Sequence, residues 1–174
     1  MQTPDLPLYG PIRQVAYVVE DIETAIASWH KQMGIGPFAL CRHVKPLEGS
    51  RYRGAESHGV EMHLAFAYIG NIQLELIQPL GDTPSLYKEA VDKGIHSLHH
   101  YGFCVEDFAA CYQHAMANGF NAVVDAGVPG IVQMAYVESN EIPGLVLELI
   151  EWNDLTRPYF DGVQQFLAKA DPGQ

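Results

Sequence analysis

The sequence predicts an α+β fold built from two copies of a βαβββ unit, and three observations carry that prediction. The segment Gln14-Val-Ala-Tyr-Val-Val-Glu-Asp21 aligns without gaps on His100-Tyr-Gly-Phe-Cys-Val-Glu-Asp107, 86 positions further on. Each copy then runs into apolar residues at helical spacing. Each closes on a near-identical strand-like run, Leu74-Glu-Leu-Ile-Gln78 in the first and Leu147-Glu-Leu-Ile-Glu151 in the second.

In the first copy, Asp21 is a natural N-cap for a helix over Ile22 to Met33, whose apolar positions Ile22, Ala25, Ile26, Trp29 and Met33 stop at Gly34. Strands are predicted over Phe38 to Val44 and His63 to Ile69, with Gly49, Gly54 and Gly59 as the turn signals between them. Ser85 to Lys93, ended by Gly94, reads as a linking helix. In the second copy Asp107 caps a helix over Phe108 to Asn118, closed by Gly119, and strands follow over Ala122 to Asp125 and Gln133 to Glu138. A C-terminal helix is predicted over Thr156 to Ala170, with Pro158 near its start and Phe160, Val163 and Leu167 on one stripe. The expected organisation is one domain, 1–174, with a first module at about 12–80, a linker helix at 85–94, a second module at 97–152 and an appendage at 153–174. Neither module has strands enough to cover both faces of a sheet, so the two should pair across a shared core.

Of the 174 residues, 48% are hydrophobic and 18% charged, a balance that excludes a disordered chain. The net charge of −11 repels phosphate backbones and acidic lipid surfaces, which argues against nucleic-acid and membrane partners. The start, Met-Gln-Thr-Pro-Asp, lacks a basic stretch followed by an apolar one, and a cytoplasmic protein is expected. Cys41, Cys104 and Cys111 are odd in number and show no CxxC spacing, so neither a disulfide framework nor a thiolate zinc site is indicated.

The chemistry-bearing residues come from the repeat. A lone Glu in a strand is usually solvated and a lone His usually satisfied locally. Here a charged residue recurs inside Leu74-Glu75-Leu76-Ile77 and Leu147-Glu148-Leu149-Ile150, between apolar neighbours of both parities. Gln14 and His100 occupy equivalent positions on the opening strands. A pseudo-twofold pairing of the modules would bring these four side chains, all able to bind metal, toward one point. Two carboxylates, one imidazole and one amide oxygen form a hard to borderline donor set suited to a divalent ion.

The order Gln14, Glu75, His100, Glu148 within a duplicated βαβββ pattern resembles the vicinal oxygen chelate superfamily, which includes glyoxalase I, methylmalonyl-CoA epimerase and the bleomycin-resistance proteins. The resemblance covers roughly Ile12 to Trp152 and implies a curved, cup-like mixed sheet plus the C-terminal helix. It further implies metal ligands at Gln14, Glu75, His100 and Glu148, holding zinc first, with nickel, cobalt, manganese or magnesium as alternatives. Epimerases usually have His in the first place; Gln14 looks like the glyoxalase I of animals. Ring-cleaving dioxygenases of similar fold need two His and one carboxylate, and this set has one His.

The activity implied is a metal-dependent isomerase, epimerase or lyase performing proton transfer beside the carbonyl of a small carbonyl or thioester substrate. Glu148 is expected as the base and Glu75 as the second catalytic carboxyl. The alternative is a non-catalytic binding or resistance protein of the same fold. Arg51, Arg53, Tyr17, His63 and Tyr136 are expected to meet the substrate, Arg51 and Arg53 from a loop at the cavity mouth. His99 is expected on the face opposite His100, and the assembly to be a homodimer.

Overall fold

The computed structural model describes residues 8–128 and 130–170. In the first copy the chain forms β1 (Ile12–Val18), α1 (Ile22–Met33), β2 (Ala39–Val44), β3 (Arg51–Tyr52), β4 (Ala55–Glu56), β5 (Glu61–Ile69) and β6 (Ile72–Leu80). After α2 (Leu86–Asp92), the second copy forms β7 (Leu98–Val105), α3 (Phe108–Ala117), β8 (Phe120–Val128), β9 (Val132–Ser139) and β10 (Val146–Glu151), and α4 (Thr156–Ala170) ends the described chain. The caps act as the residue types dictate. Asp21 accepts from the Thr24 amide at 2.8 Å, Asp107 from the Ala110 amide at 2.9 Å, and Ser85 from the Lys88 amide at 3.0 Å.

The strands form one mixed sheet in the order β2-β5-β6-β1-β7-β10-β9-β8-β3-β4. Each module contributes the same run of four, mirrored about an antiparallel β1–β7 seam, with β1 parallel to β6 and β7 parallel to β10. That seam sets the opening strands of the two copies side by side. It is why duplicated positions meet.

Alternation divides the apolar residues between the two faces. Leu74 and Leu76 turn outward with Ile22, Ala65 and Ala67 under α1, and Leu149 turns outward with Val105, Phe108 and Cys111 under α3. Ala16, Val60, Met62 and Ile77 instead line the inner face. Leu74 and Leu76 are wholly buried, and truncating either to Ala should cost about 2–5 kcal/mol.

The hairpin β3–β4 falls where the sequence indicated only a turn. It belongs to the first module's stretch of chain but pairs with β8 of the second, Arg51 opposite Asp125 and Tyr52 opposite Val124. Arg53 secures the crossing. Its guanidinium donates to Glu89 of α2 at 2.8 and 3.0 Å and to Glu138 of β9 at 2.9 Å. Among the described residues no helix is long and apolar enough to cross a membrane.

Candidate functional site

Residues paired across neighbouring strands point to the same face. One row of the register runs Gln73, Gln14, Gly102, Glu148 across β6, β1, β7 and β10; the row two residues away runs Glu75, Ala16, His100. The four duplicated positions therefore stand on adjacent rows of the inner face, with Gly102 and Ala16 between them. All four are buried. His100 Nε2 lies 3.3 Å from Gln14 Oε1, 3.3 Å from Glu148 Oε2 and 3.7 Å from Glu75 Oε2.

Three directed hydrogen-bond chains orient these atoms. The first begins at the Phe160 carbonyl, which accepts from the Tyr68 hydroxyl at 3.1 Å. Tyr68 accepts from Gln73 Nε2 at 3.0 Å, and Gln73 Oε1 accepts from Gln14 Nε2 at 2.8 Å. The Gln14 amide is thereby turned so that its oxygen faces His100. The second begins at the Leu86 carbonyl, an acceptor only, which lies 3.4 Å from His99 Nε2. Burial above all, and then the neighbouring His100, hold His99 down to about 3, so its ring is neutral and its Nδ1 accepts from His100 Nδ1 at 2.9 Å. With Nδ1 engaged by His99, His100 turns its Nε2 to the centre. The third runs from Tyr87, whose hydroxyl donates to Tyr136 at 2.9 Å, and Tyr136 donates to Glu148 Oε1 at 2.6 Å. Burial, with the charge of Glu75 and then Glu148 for Tyr87 and of Glu148 first for Tyr136, pushes both hydroxyls well above the usual range, so both remain donors.

These chains turn Gln14 Oε1, His100 Nε2 and Glu148 Oε2 to the same space, a set of atoms that a cation or a shared proton would satisfy. Burial first, and then the charge of Glu148, push the Glu75 carboxyl well above its ordinary value. Divalent first-row ions hold nitrogen and oxygen at about 2.0–2.2 Å, which sets neighbouring donors about 3.0–3.4 Å apart in octahedral or tetrahedral geometry. The separations of 3.3, 3.3 and 3.7 Å around His100 fit that spacing with a small inward movement of Glu75. Among the described residues no group of three or more His, Cys, Asp or Glu side chains is arranged to hold a metal ion as it stands, so an ion would require the carboxyls to draw in toward His100. Gly102 keeps the space clear. A Cβ there would meet Gln14 Cβ at 2.8 Å, Gln14 Oε1 at 2.9 Å and Glu148 Oε2 at 3.5 Å.

Above the centre opens a cavity of about 520 Å³, with Gln14, Glu75 and Glu148 at its floor and Leu155, Tyr159 and Phe160 from α4 and the turn before it at one wall. Over residues 13–136 the chain matches the family model described as the glyoxalase/bleomycin resistance protein/dioxygenase superfamily. The chain belongs to that superfamily. Among solved structures similar to it are the methylmalonyl-CoA epimerase from Mycobacterium tuberculosis (17% identity, TM-score 0.62, covering 90% of this chain and 97% of that one) and hypothetical protein BH1468 from Bacillus halodurans (18%, 0.60, 83% and 95%). A Streptomyces coelicolor methylmalonyl-CoA epimerase variant, in complex with 2-nitronate-propionyl-CoA, shares 14% identity at a TM-score of 0.57, covering 83% of this chain and 95% of that one. At these identities the likeness is one of fold. A comparison with curated protein sequences finds no significant match.

Within this member of the superfamily, the residues expected to meet substrate separate. Tyr136 lines the cavity. Arg51 and Arg53 are absent from its described lining; Arg51 donates to the Gly54 carbonyl and Arg53 is taken up by Glu89 and Glu138. Tyr17 packs on the outer face, its ring edge-on to Trp29 with centroids 5.1 Å apart. His63 is also off the described lining, its Nδ1 accepting from the His43 amide at 3.2 Å and its ring edge-on to that of His43. The expectation for His99 is corrected. The register passes from Ala16 opposite His100 to Tyr17 opposite Leu98, which leaves His99 as the extra residue of a bulge and brings its ring against His100.

Gln73, Tyr68 and Tyr87 had not been singled out as orienting groups. For Gln73 a signal existed, since it stands two residues before Glu75 on the same face of β6. Tyr87 lies on the linking helix, where only the tertiary fold shows that it reaches β9. Burial raises the Cys104 thiol to about 12, so it stays a protonated, poorly reactive thiol.

Proposed function

We propose that the protein is a metal-dependent isomerase, epimerase or lyase that transfers a proton at a carbon beside a carbonyl of a small substrate. The observation that carries this reading is the convergence of Gln14 Oε1, His100 Nε2 and two buried carboxyls, all metal-ligand-type groups, at the floor of a cavity. Gln14, Glu75, His100 and Glu148 would hold the ion, zinc first, with nickel, cobalt, manganese or magnesium as alternatives. A divalent ion bound there supplies polarisation of the substrate's oxygens and stabilisation of the charge that develops on them.

The protein's own groups divide the proton handling. Glu148 is the base: it opens on the cavity, and the hydrogen bond from Tyr136 fixes one oxygen while the other faces the centre. Glu75, which faces the same centre from β6, is the second catalytic carboxyl, the candidate to return or take a proton on the opposite side. Tyr87 and Tyr136 hold the base in position, and the apolar walls exclude water that would compete for the proton. The assembly expected is a homodimer, which sedimentation velocity checks.

A second reading draws on the cavity itself, whose apolar walls equally suit a non-catalytic binding or resistance protein of the same fold. Elemental analysis of protein purified without a chelating tag separates the two. The enzyme reading expects stoichiometric divalent metal and hydrogen–deuterium exchange beside the carbonyl of α-hydroxy ketones, lost in Glu148→Gln. Protein that neither retains nor rebinds metal, and catalyses no exchange, belongs to the binding class.

A further inference from the structure

We infer that the ligand of this cavity is an uncharged, predominantly apolar molecule that carries its oxygens at one end, of the class of aryl or alicyclic vicinal dicarbonyls and α-hydroxy ketones. The placing of the oxygens at the floor rests on the proton-transfer reading above; the apolar, uncharged body rests on the walls alone. A coenzyme A thioester or a glutathione adduct does not suit them.

Three charged side chains line the cavity, Lys45, Glu75 and Glu148, and the two carboxyls belong to the centre. Substrates with diphosphate or peptide carboxylate arms need more than one cationic partner; among the described lining residues Lys45, which is exposed, is the one cation, and Arg51 and Arg53, off that lining, are already engaged. Arg53 is held by Glu89 and Glu138, and the Arg51 guanidinium donates to the Gly54 carbonyl. Elsewhere Arg42, Lys88, Lys93 and Arg157 each sit against a carboxylate. The net charge of −11 adds a long-range repulsion toward any anionic arm.

Most polar wall groups are committed as well. The Tyr52 hydroxyl donates to Glu89, Ser50 Oγ to the Leu47 carbonyl and Thr156 Oγ1 to the Glu151 carbonyl. Ser85 caps α2, and Gln73, Tyr87 and Tyr136 complete the chains that orient the centre. What remains to meet a ligand is chiefly hydrocarbon, Met62, Leu64 and Phe66 along β5 and Ala126, Met134 and Ile150 across from them, beside Lys45 and the Ser57 and Tyr159 hydroxyls. Burying apolar ligand surface there is favourable, whereas an arm with several negative charges would lose its hydration and gain Lys45 alone among the described lining residues as a cationic partner. At about 520 Å³ the cavity is of the size that encloses a molecule of two rings.

The test is isothermal titration of the full chain, metal-loaded and chelated, with 1-phenylpropane-1,2-dione, its hydrocarbon counterpart propylbenzene, S-lactoylglutathione and methylmalonyl-CoA. The dione is expected to bind at least about tenfold more tightly than either anionic compound at physiological salt, with little salt dependence. Met134→Lys should weaken the dione by about tenfold or more while Met134→Leu leaves it within about twofold, with unchanged circular dichroism confirming both folds. Tighter binding of the glutathione adduct or the thioester, or dione affinity indifferent to Met134→Lys, overturns the inference. Equal binding of the dione and propylbenzene, unaffected by metal, supports the apolar class and instead sinks the proton-transfer reading on which the oxygen end depends.

Discussion

Gly102→Ala is the smallest change that should disable the centre while leaving the fold in place. Its φ lies outside the left-handed region, so Ala fits the backbone, and the consequence comes from space alone. The new methyl would lie 2.8 Å from Gln14 Cβ, where carbon atoms normally rest at about 3.5–4.0 Å, so Gln14 must retreat by about 0.7 Å or more. Overpacking of this kind costs about 1–3 kcal/mol, offset by about 0.5–1 kcal/mol from the reduced freedom of the unfolded chain, for a net loss of about 1–2 kcal/mol. The same retreat pulls Gln14 Oε1 from its place 3.3 Å from His100 Nε2, and metal affinity should fall by about tenfold to a hundredfold. Chelator-competition titration reads the affinity and urea denaturation of chelated protein reads the stability. Gly162→Ala is the control: it lies within α4 with nothing within 4 Å of the added carbon, and should stabilise by about 0.5–1 kcal/mol without touching metal binding. Wild-type metal affinity in Gly102→Ala would refute the placement of the site.

Three further changes probe the surroundings. Gln73→Leu should turn the Gln14 amide loose, lowering metal affinity by about tenfold and costing about 1–3 kcal/mol as Tyr68 and Gln14 lose a buried partner; the same titrations check both. Because the Glu75 carboxyl is raised above its ordinary value of 4.5 by burial and by Glu148, folded metal-free protein binds that proton more tightly than the unfolded chain does. Its stability should therefore fall as pH rises above about 4.5 toward the folded value, by up to about 1.4 kcal/mol per unit, and Glu75→Gln or saturating metal should remove the slope, measured by denaturation across pH in chelator. Arg53→Ala should cost about 1 kcal/mol, its guanidinium being half-exposed, and should speed amide exchange in β3 and β4 more than in β1; uniform exchange would show that the hairpin is held by other contacts.

The legible parts of this molecule were those written in local chemistry or repeated. Helix α1 could be bounded at Ile22 and Met33 because Asp21 and Gly34 are strong start and stop residues, and Thr156–Ala170 emerged from its apolar stripe. Gln14, Glu75, His100 and Glu148 could be picked out because duplication marks equivalent strand positions, and the β1–β7 seam is what turns equivalence into proximity. The hairpin β3–β4 stayed hidden since two-residue strands show no period and their partner β8 lies far along the chain. His99 was placed on the wrong face because alternation assumes a regular strand, and the bulge breaks it. Arg51 and Arg53 looked like anion-binding groups, and only the tertiary arrangement reveals that Glu89 and Glu138 take up Arg53.

The central claim is that four side chains from strands β1, β6, β7 and β10 share one cation. Crystals of tag-free protein loaded with zinc, measured on both sides of the zinc absorption edge, address it directly. One anomalous peak should lie about 2.0–2.3 Å from Gln14 Oε1, His100 Nε2 and a carboxylate oxygen each of Glu75 and Glu148. A peak bound elsewhere, or density with His100 Nε2 still turned on Glu148 and no ion between them, would contradict it.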